Sequence, residues 1–151
     1  HYAAMAEEKY PAADPEREGT GAAGGFGFAF LTFTNASLES GIDIVLEETG
    51  MEKYIKEADL IITGEGRLDG QTAMGKAPVG VARFAKRYGK PVVAFAGGVT
   101  RDAKACNSEG ITAYFSIVQG AVSLEEAMKR DNAEANMADT AEQVYRLFTL
   151  K

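Results

Sequence analysis

Apolar and polar positions alternate along this chain with two different periods, and the switches between them mark out its elements. Leu60-Ile61-Ile62 is an unbroken apolar run between Asp59 and Thr63, the pattern of a strand covered on both faces. Residues 91–96 and 113–118 predict two further strands, the first broken by Gly97-Gly98. Val81, Ala82, Ala85 and Tyr88 recur at helical spacing and predict a helix over 77–88, with Pro78 in its first turn and Gly89 as its cap. A short helix over 102–109 stops at Gly110, and Ser123-Leu124-Glu125-Glu126 has the S-x-x-E form of a capping box. Met137, Ala141, Val144 and Phe148 line one face of a final amphipathic helix.

Upstream, the pattern predicts helices over 1–10 and 51–57 and, after a turn at Ser40-Gly41-Ile42-Asp43, a short helix to Glu48, with Pro11 and Pro15 marking a linker after the first helix. Between them, residues 22–34 are helical in pattern but almost wholly apolar (Phe26, Phe28, Phe30, Leu31, Phe33), which predicts a buried helix. Its glycines Gly24 and Gly25, with Gly21 before it, call for either close packing or backbone approach to a ligand. Strand, helix, strand, helix, strand with short connections implies right-handed crossovers. The expected fold is therefore α/β: a doubly wound, mainly parallel, Rossmann-like sheet with helices on both faces. Residues 1–18 read as a helix and linker, and residues 19–151 as the α/β domain.

Composition narrows the partners. At 151 residues with a formal charge of −6, the chain is long enough for one core and too acidic to favour nucleic acid or an anionic membrane. No run approaches the roughly 20 apolar residues of a membrane span. The lone cysteine, Cys106, precludes an internal disulfide and suits a reducing compartment such as the cytoplasm; its plainest role is a small apolar helix residue. A chain that opens at His1 in helical pattern, without a secretory leader, reads as a piece of something longer.

In parallel sheets ligands bind beyond the carboxyl ends of the strands. That edge carries Gly64-Glu65-Gly66-Arg67 after the first strand and Gly97-Gly98 after the second. From Gly64 to Lys76 the sequence reads as a glycine-rich charged loop ahead of a helix N-terminus, the way such folds build anion sites. Gly70 to Lys76 has the G-x-x-x-x-G-K spacing of a phosphate loop, but Ala77 stands where a Ser or Thr should hold Mg²⁺. A dinucleotide fingerprint fails as well, because its third glycine would fall on Asp69.

The residue types still point to chemistry. Arg67 offers a planar fork and Lys76 a point charge for phosphate or carboxylate. Glu65 and Asp69 are hard-oxygen ligands for Mg²⁺ or general bases for a hydroxyl, while Gln71 and Thr72 can orient oxygens. The bland alternative, a surface turn in which Arg67 pairs with Asp69, would be worth only about 0–1 kcal/mol. A zinc site and a nucleophile–histidine pair both lack the residues. Apart from catalysis, the same residues suit a non-catalytic domain for a small phosphorylated or carboxylated ligand, or a subunit-interaction domain whose glycines serve packing.

Gly64-Glu65-Gly66-Arg67-Leu68-Asp69-Gly70-Gln71-Thr72, followed by Gly75-Lys76-Ala77-Pro78-Val79-Gly80-Val81-Ala82, resembles the carboxyl-terminal part of the type I glycerate kinase family. The likeness extends to Gly21-Ala22-Ala23-Gly24-Gly25, Ser40-Gly41-Ile42-Asp43, Gly89-Lys90-Pro91-Val92 and Gly110-Ile111-Thr112-Ala113. Glu18-Gly19-Thr20 departs from the Pro-Gly-Ala usual there. The resemblance implies ATP- and Mg²⁺-dependent phosphorylation of D-glycerate in the cytoplasm. It also implies that a missing amino-terminal part completes the site, so that these 151 residues are inactive alone. On that reading Glu65, Arg67 and Asp69 are catalytic, with Glu65 and Asp69 as metal ligands. Gly64, Gly66, Gln71, Thr72, Gly75, Lys76, Gly21, Gly24, Gly25, Gly97 and Gly98 would bind nucleotide or glycerate. Homo-oligomer formation is left open.

Overall fold

The computed structural model describes residues 1–150, which fall into two compact units, 1–44 and 45–150. In the first, α1 (Tyr2–Glu7) packs by aromatic edges on α2 (Ala22–Phe33), with Tyr2 against Phe28 at 5.8 Å and Tyr10 against Phe33 at 4.9 Å between ring centroids. The expected straight helix from Ala22 is broken: Ala23, Gly24 and Gly25 all have positive φ. A Cβ at Gly24 or Gly25 would meet nothing within 4 Å, so these glycines serve backbone conformation and not packing. Close packing falls instead on Gly27, where a side chain would collide with the Gly19 carbonyl.

Burial of α2 is also one-sided. Phe28 and Leu31 are buried, but Phe26 and Phe30 are 61% and 51% exposed. An apolar composition all round a helix predicts cover all round, and within these residues only one side receives it.

α3 (Gly41–Glu48) and α4 (Met51–Glu57) lead to the second unit's sheet. Its strands β1 (Ile61–Leu68), β2 (Val92–Val99) and β3 (Ala113–Ser116) are all parallel, in the order β1-β2-β3. α5 (Ala77–Lys86) connects β1 to β2 and packs against both. β2 continues into a 3₁₀ turn (Arg101–Lys104) and α6 (Ala105–Ser108), which Gly110 ends before β3. After β3 come α7 (Leu124–Ala127), whose Ser123 cap accepts the Glu126 N–H at 3.2 Å, and the long α8 (Arg130–Phe148). Val144 and Ala141 of α8 pack on Val93, Phe95, Phe115 and Leu60, one face of the sheet. With α5 serving the other face, the doubly wound α/β architecture is realised.

Two strands outrun the lengths read from the sequence. β1 does not end at Thr63 but carries Gly64, Glu65 and Arg67 as paired strand, and β2 passes through Gly97-Gly98. The glycines permit this by close approach. A Cβ on Gly64 would strike the Phe95 carbonyl, and one on Gly97 would sit 2.8 Å from the Gly66 carbonyl. Glycine here thins the sheet where sequence logic reads a break. β1 also differs from the expected two-sided burial: Ile62 is 57% exposed at the sheet's edge.

Candidate functional site

Extension of β1 carries Glu65 and Arg67 to the carboxyl edge of the sheet, on either side of Gly66, where the alternation of the strand is interrupted. Leu68, fully buried, anchors the strand's end, and its carbonyl accepts the Thr100 N–H at 3.1 Å, tying the exits of β1 and β2 together. The chain then turns tightly through Asp69 to Gln71 into a 3₁₀ turn (Thr72–Met74). Gly75, at φ 110°, reverses it so that α5 begins at once from Lys76, with Pro78 in its first turn.

Thr72 is the pivot of this turn. It is fully buried, and its hydroxyl donates to Glu65 Oε1 while accepting the Asp69 N–H at 3.2 Å. Asp69 Oδ1 accepts the N–H groups of Gln71 and Thr72 at 3.0 and 3.1 Å, and Lys76 Nζ lies 3.5 Å from it. Desolvation pushes the Asp69 carboxyl upward, but the Thr72 N–H and the Lys76 ammonium outweigh it and hold the group below its ordinary value. Thus Asp69 pairs with Lys76 and not with Arg67. Among the described residues Arg67 forms no ion pair; it is exposed, and its stem passes within van der Waals reach of Gly98.

Two residues that the pattern of the sequence did not single out join the cluster. The Thr100 hydroxyl donates to Asp102, and together with the Gly70 N–H and the Arg67 charge it holds that carboxyl below its ordinary value against some desolvation. A side chain at Gly70 would meet Asp102 Oδ2 at 2.7 Å, so the absence of one lets the carboxylate close on the turn. Their position just past β2, at the same sheet edge as Arg67, was the available signal. Cys106 is buried beneath, its Sγ 3.8 Å from the Asp69 carbonyl oxygen; burial first, and then the surrounding carboxylates, push its thiol up.

The structure therefore brings Glu65, Asp69, Thr72 and Lys76 into one bonded set, with Gly64, Gly66, Arg67, Gly97 and Gly98 on the adjoining strands. Gln71 is exposed beside them, and its side chain makes no hydrogen bond among the described residues. Gly21, Gly24 and Gly25 belong to the other compact unit. Among the described residues, neither Glu65 Oε2 nor Asp69 Oδ2 accepts a protein hydrogen bond. No three His, Cys, Asp or Glu side chains among those residues form a metal-binding group. Chemically, the edge offers two carboxylates with a free oxygen each and two cations a short span apart.

Comparison with known proteins identifies the family. The profile of the glycerate kinase family matches residues 1–149. The chain is 49% identical over 144 residues to the glycerate kinase of Bacillus subtilis (strain 168), covering 95% of this chain and 37% of that protein. It is 40% identical over 151 residues to the glycerate kinase of Haemophilus influenzae, covering all of this chain and 39% of that one. A crystal structure from Salmonella typhimurium LT2, provisionally assigned as glycerate kinase 2, superposes with a TM-score of 0.63 at 38% identity. That match covers 99% of this chain and 38% of the other. The chain thus spans less than two-fifths of the length of these relatives, and over that span it belongs to the glycerate kinase family.

Proposed function

We propose that this chain works as the carboxyl-terminal portion of a longer cytoplasmic glycerate kinase, which transfers the terminal phosphoryl group of ATP to a hydroxyl of D-glycerate. The observation that carries this reading is the Glu65–Thr72–Asp69 set, flanked by Lys76 and Arg67, at the carboxyl edge of the sheet. In the reaction the glycerate hydroxyl oxygen bonds to the terminal phosphorus, the bond from that phosphorus to ADP breaks, and the hydroxyl proton must be accepted. Glu65 suits that last role. Its Oε1 is held by Thr72, which leaves Oε2 without a protein donor among the described residues.

Asp69, held in its ionised form by Thr72 and Lys76, is a weak proton acceptor and a good seat for positive charge. Mg²⁺ typically takes one or two protein carboxylates and draws its other ligands from phosphate and water. The free oxygen of Asp69 fits that donor set, and bound Mg²⁺ would supply neutralisation of phosphate charge. Arg67, with no carboxylate partner among the described residues, is available to the transferring group or to the glycerate carboxylate. Gln71, Gly64, Gly66, Gly75, Gly97 and Gly98 would line the nucleotide and glycerate sites around them. Gly21, Gly24 and Gly25 would approach a ligand through the backbone conformation they allow.

The test is a chimera in which residues 1–150 replace the matching portion of the Bacillus subtilis relative. Glycerate-dependent ADP formation is expected from the chimera and none from the 151-residue chain alone. A folded chimera that binds ATP and glycerate but never turns over would support a non-catalytic binding domain instead.

A further inference from the structure

The first half of β1, Ile61–Gly64, is an open edge that carries no charge, proline or bulge. The Ile61 N–H bonds to the Pro91 carbonyl at 3.0 Å, so strand alternation points the main-chain groups of Ile61, Thr63 and Glu65 toward β2. Those of Ile62 and Gly64 consequently point away from the sheet, and both residues are exposed. Past Glu65 the alternation shifts, since the Gly66 carbonyl faces Gly97 and the Leu68 carbonyl accepts the Thr100 N–H. Natural edge strands are kept short, or carry lysine, proline, a bulge or a covering loop. β1 pairs in a regular register over Ile61–Glu65 with no lysine or proline in that stretch; the ladder skips Gly66 and resumes at Arg67.

The face above it is equally bare. Ile62 pairs in register with Val93 and so lies on the side that α8 covers over β2 and β3. Yet Ile62 is 57% exposed, while Val93 is 7% exposed. One strand column of the sheet therefore lacks both a neighbour beside it and a helix above it.

We infer that β1 is an interior strand of a wider sheet, and that its open edge receives a strand, with its covering helix, from the part of the longer glycerate kinase that this chain does not span. Three observations choose this occupant over a second copy. The relatives extend well beyond the matched region, which is only 37–39% of their length. A parallel sheet of three strands with helices on both faces is small for this class, where about 4–6 strands are usual. Finally, the outward groups run to Gly64, next to Glu65, so an added parallel strand would deliver its following loop to the same cluster. The two sides of β1 would then form the crevice that holds the ligands. This inference rests on the glycerate kinase reading.

Residue-resolved hydrogen exchange tests it. In the 151-residue chain, the amides of Thr63 and Glu65 are expected to be protected and those of Ile62 and Gly64 to exchange freely. In the chimera with the Bacillus subtilis relative, all four should be protected, the outward two slowing by about 10²-fold or more, the range of core strands. Free exchange at Ile62 and Gly64 in an active chimera overturns the inference and leaves the kinase reading standing. Protection there in an inactive chimera does the reverse. If the chimera does not fold, the same measurement on the intact relative, at the strand aligned with Ile61–Leu68, decides the matter. Protection that appears only as the 151-residue chain dimerises would assign the edge to a second copy and also overturn it.

Discussion

The Thr72 hydroxyl donates to the carboxylate of Glu65, seven residues earlier, from a position with no solvent exposure. A buried threonine thus holds a half-exposed acid on the strand before it. Removing the hydroxyl with little change of shape, as in Thr72→Val, leaves Glu65 Oε1 and the Asp69 N–H unpaired, at a cost of about 1–3 kcal/mol. In the chimera, kcat is expected to fall by about 10²-fold, the scale of a misplaced reacting group, with a smaller change in KM. Thr72→Ser should recover most of it. Steady-state kinetics of the three proteins checks this, and a normal kcat for the valine variant would refute it.

Arg67 differs from Lys76 in forming no ion pair among the described residues, although its charge acts on Asp102. If its role is to serve the transferring phosphoryl group, Arg67→Ala in the chimera should lower kcat by about 10³-fold or more. Arg67→Lys should restore little, because an ammonium cannot reproduce the planar fork. Thermal unfolding of both variants should match the parent, since an exposed unpaired side chain contributes little to folding. Equal loss of stability and activity would make Arg67 a structural residue.

Asp69 yields a dependence on pH. Its carboxyl is depressed in the folded chain, so the stabilisation it gives the turn is fully present above the unfolded aspartate value of about 3.9. That stabilisation is lost as the pH falls through the lower folded value. Lys76→Gln removes one of the groups holding it down and should move the Asp69 midpoint upward. Carboxyl-carbon NMR titration of the 151-residue chain reads this directly. An unchanged midpoint would show that Lys76 does not contribute.

What the sequence revealed and what it hid have separable causes. The order of strands and helices follows from apolar periodicity, and the S-x-x-E cap at Ser123 forms as its spacing requires. The location of the cluster followed from the rule that parallel sheets bind at their carboxyl edge. Glycine misled the reading of strand length. Gly64, Gly66, Gly97 and Gly98 have the composition of loops, and only the carbonyls packed against Gly64 and Gly97 show why they lie in strands. Apolar composition misled the reading of α2 and β1, because it records what a residue will bury against in the whole protein, while Phe26, Phe30 and Ile62 find no cover within these residues. Thr100 and Asp102 were hidden because their partners, Gly70 and Leu68, are more than thirty residues away in sequence.

Cys106 is fully buried among carboxylates, and its thiol is pushed up first by burial and then by the charges of Glu65 and Asp69. Since the thiolate is the reactive species, iodoacetamide at neutral pH should leave the folded chain unmodified and alkylate it once unfolded. Mass spectrometry of native and denatured samples decides this. Rapid labelling of the native chain would mean that the floor of the turn opens readily.

Gly64 and Gly66 provide a paired test of how the sheet tolerates its glycines. They stand two residues apart on β1, and both are exposed. Their surroundings differ: a Cβ on Gly64 would strike the Phe95 carbonyl, a backbone atom that cannot swing aside, whereas one on Gly66 would meet nothing within 4 Å. Gly64→Ala must therefore push β1 from β2 or distort the ladder, at about 1–3 kcal/mol for an overpacked contact. Gly66→Ala should be close to neutral in stability. Urea unfolding of the 151-residue chain should accordingly show a lowered midpoint for the first variant and an unchanged one for the second. If the two midpoints fall together, the close approach of Phe95 is not what requires glycine at position 64.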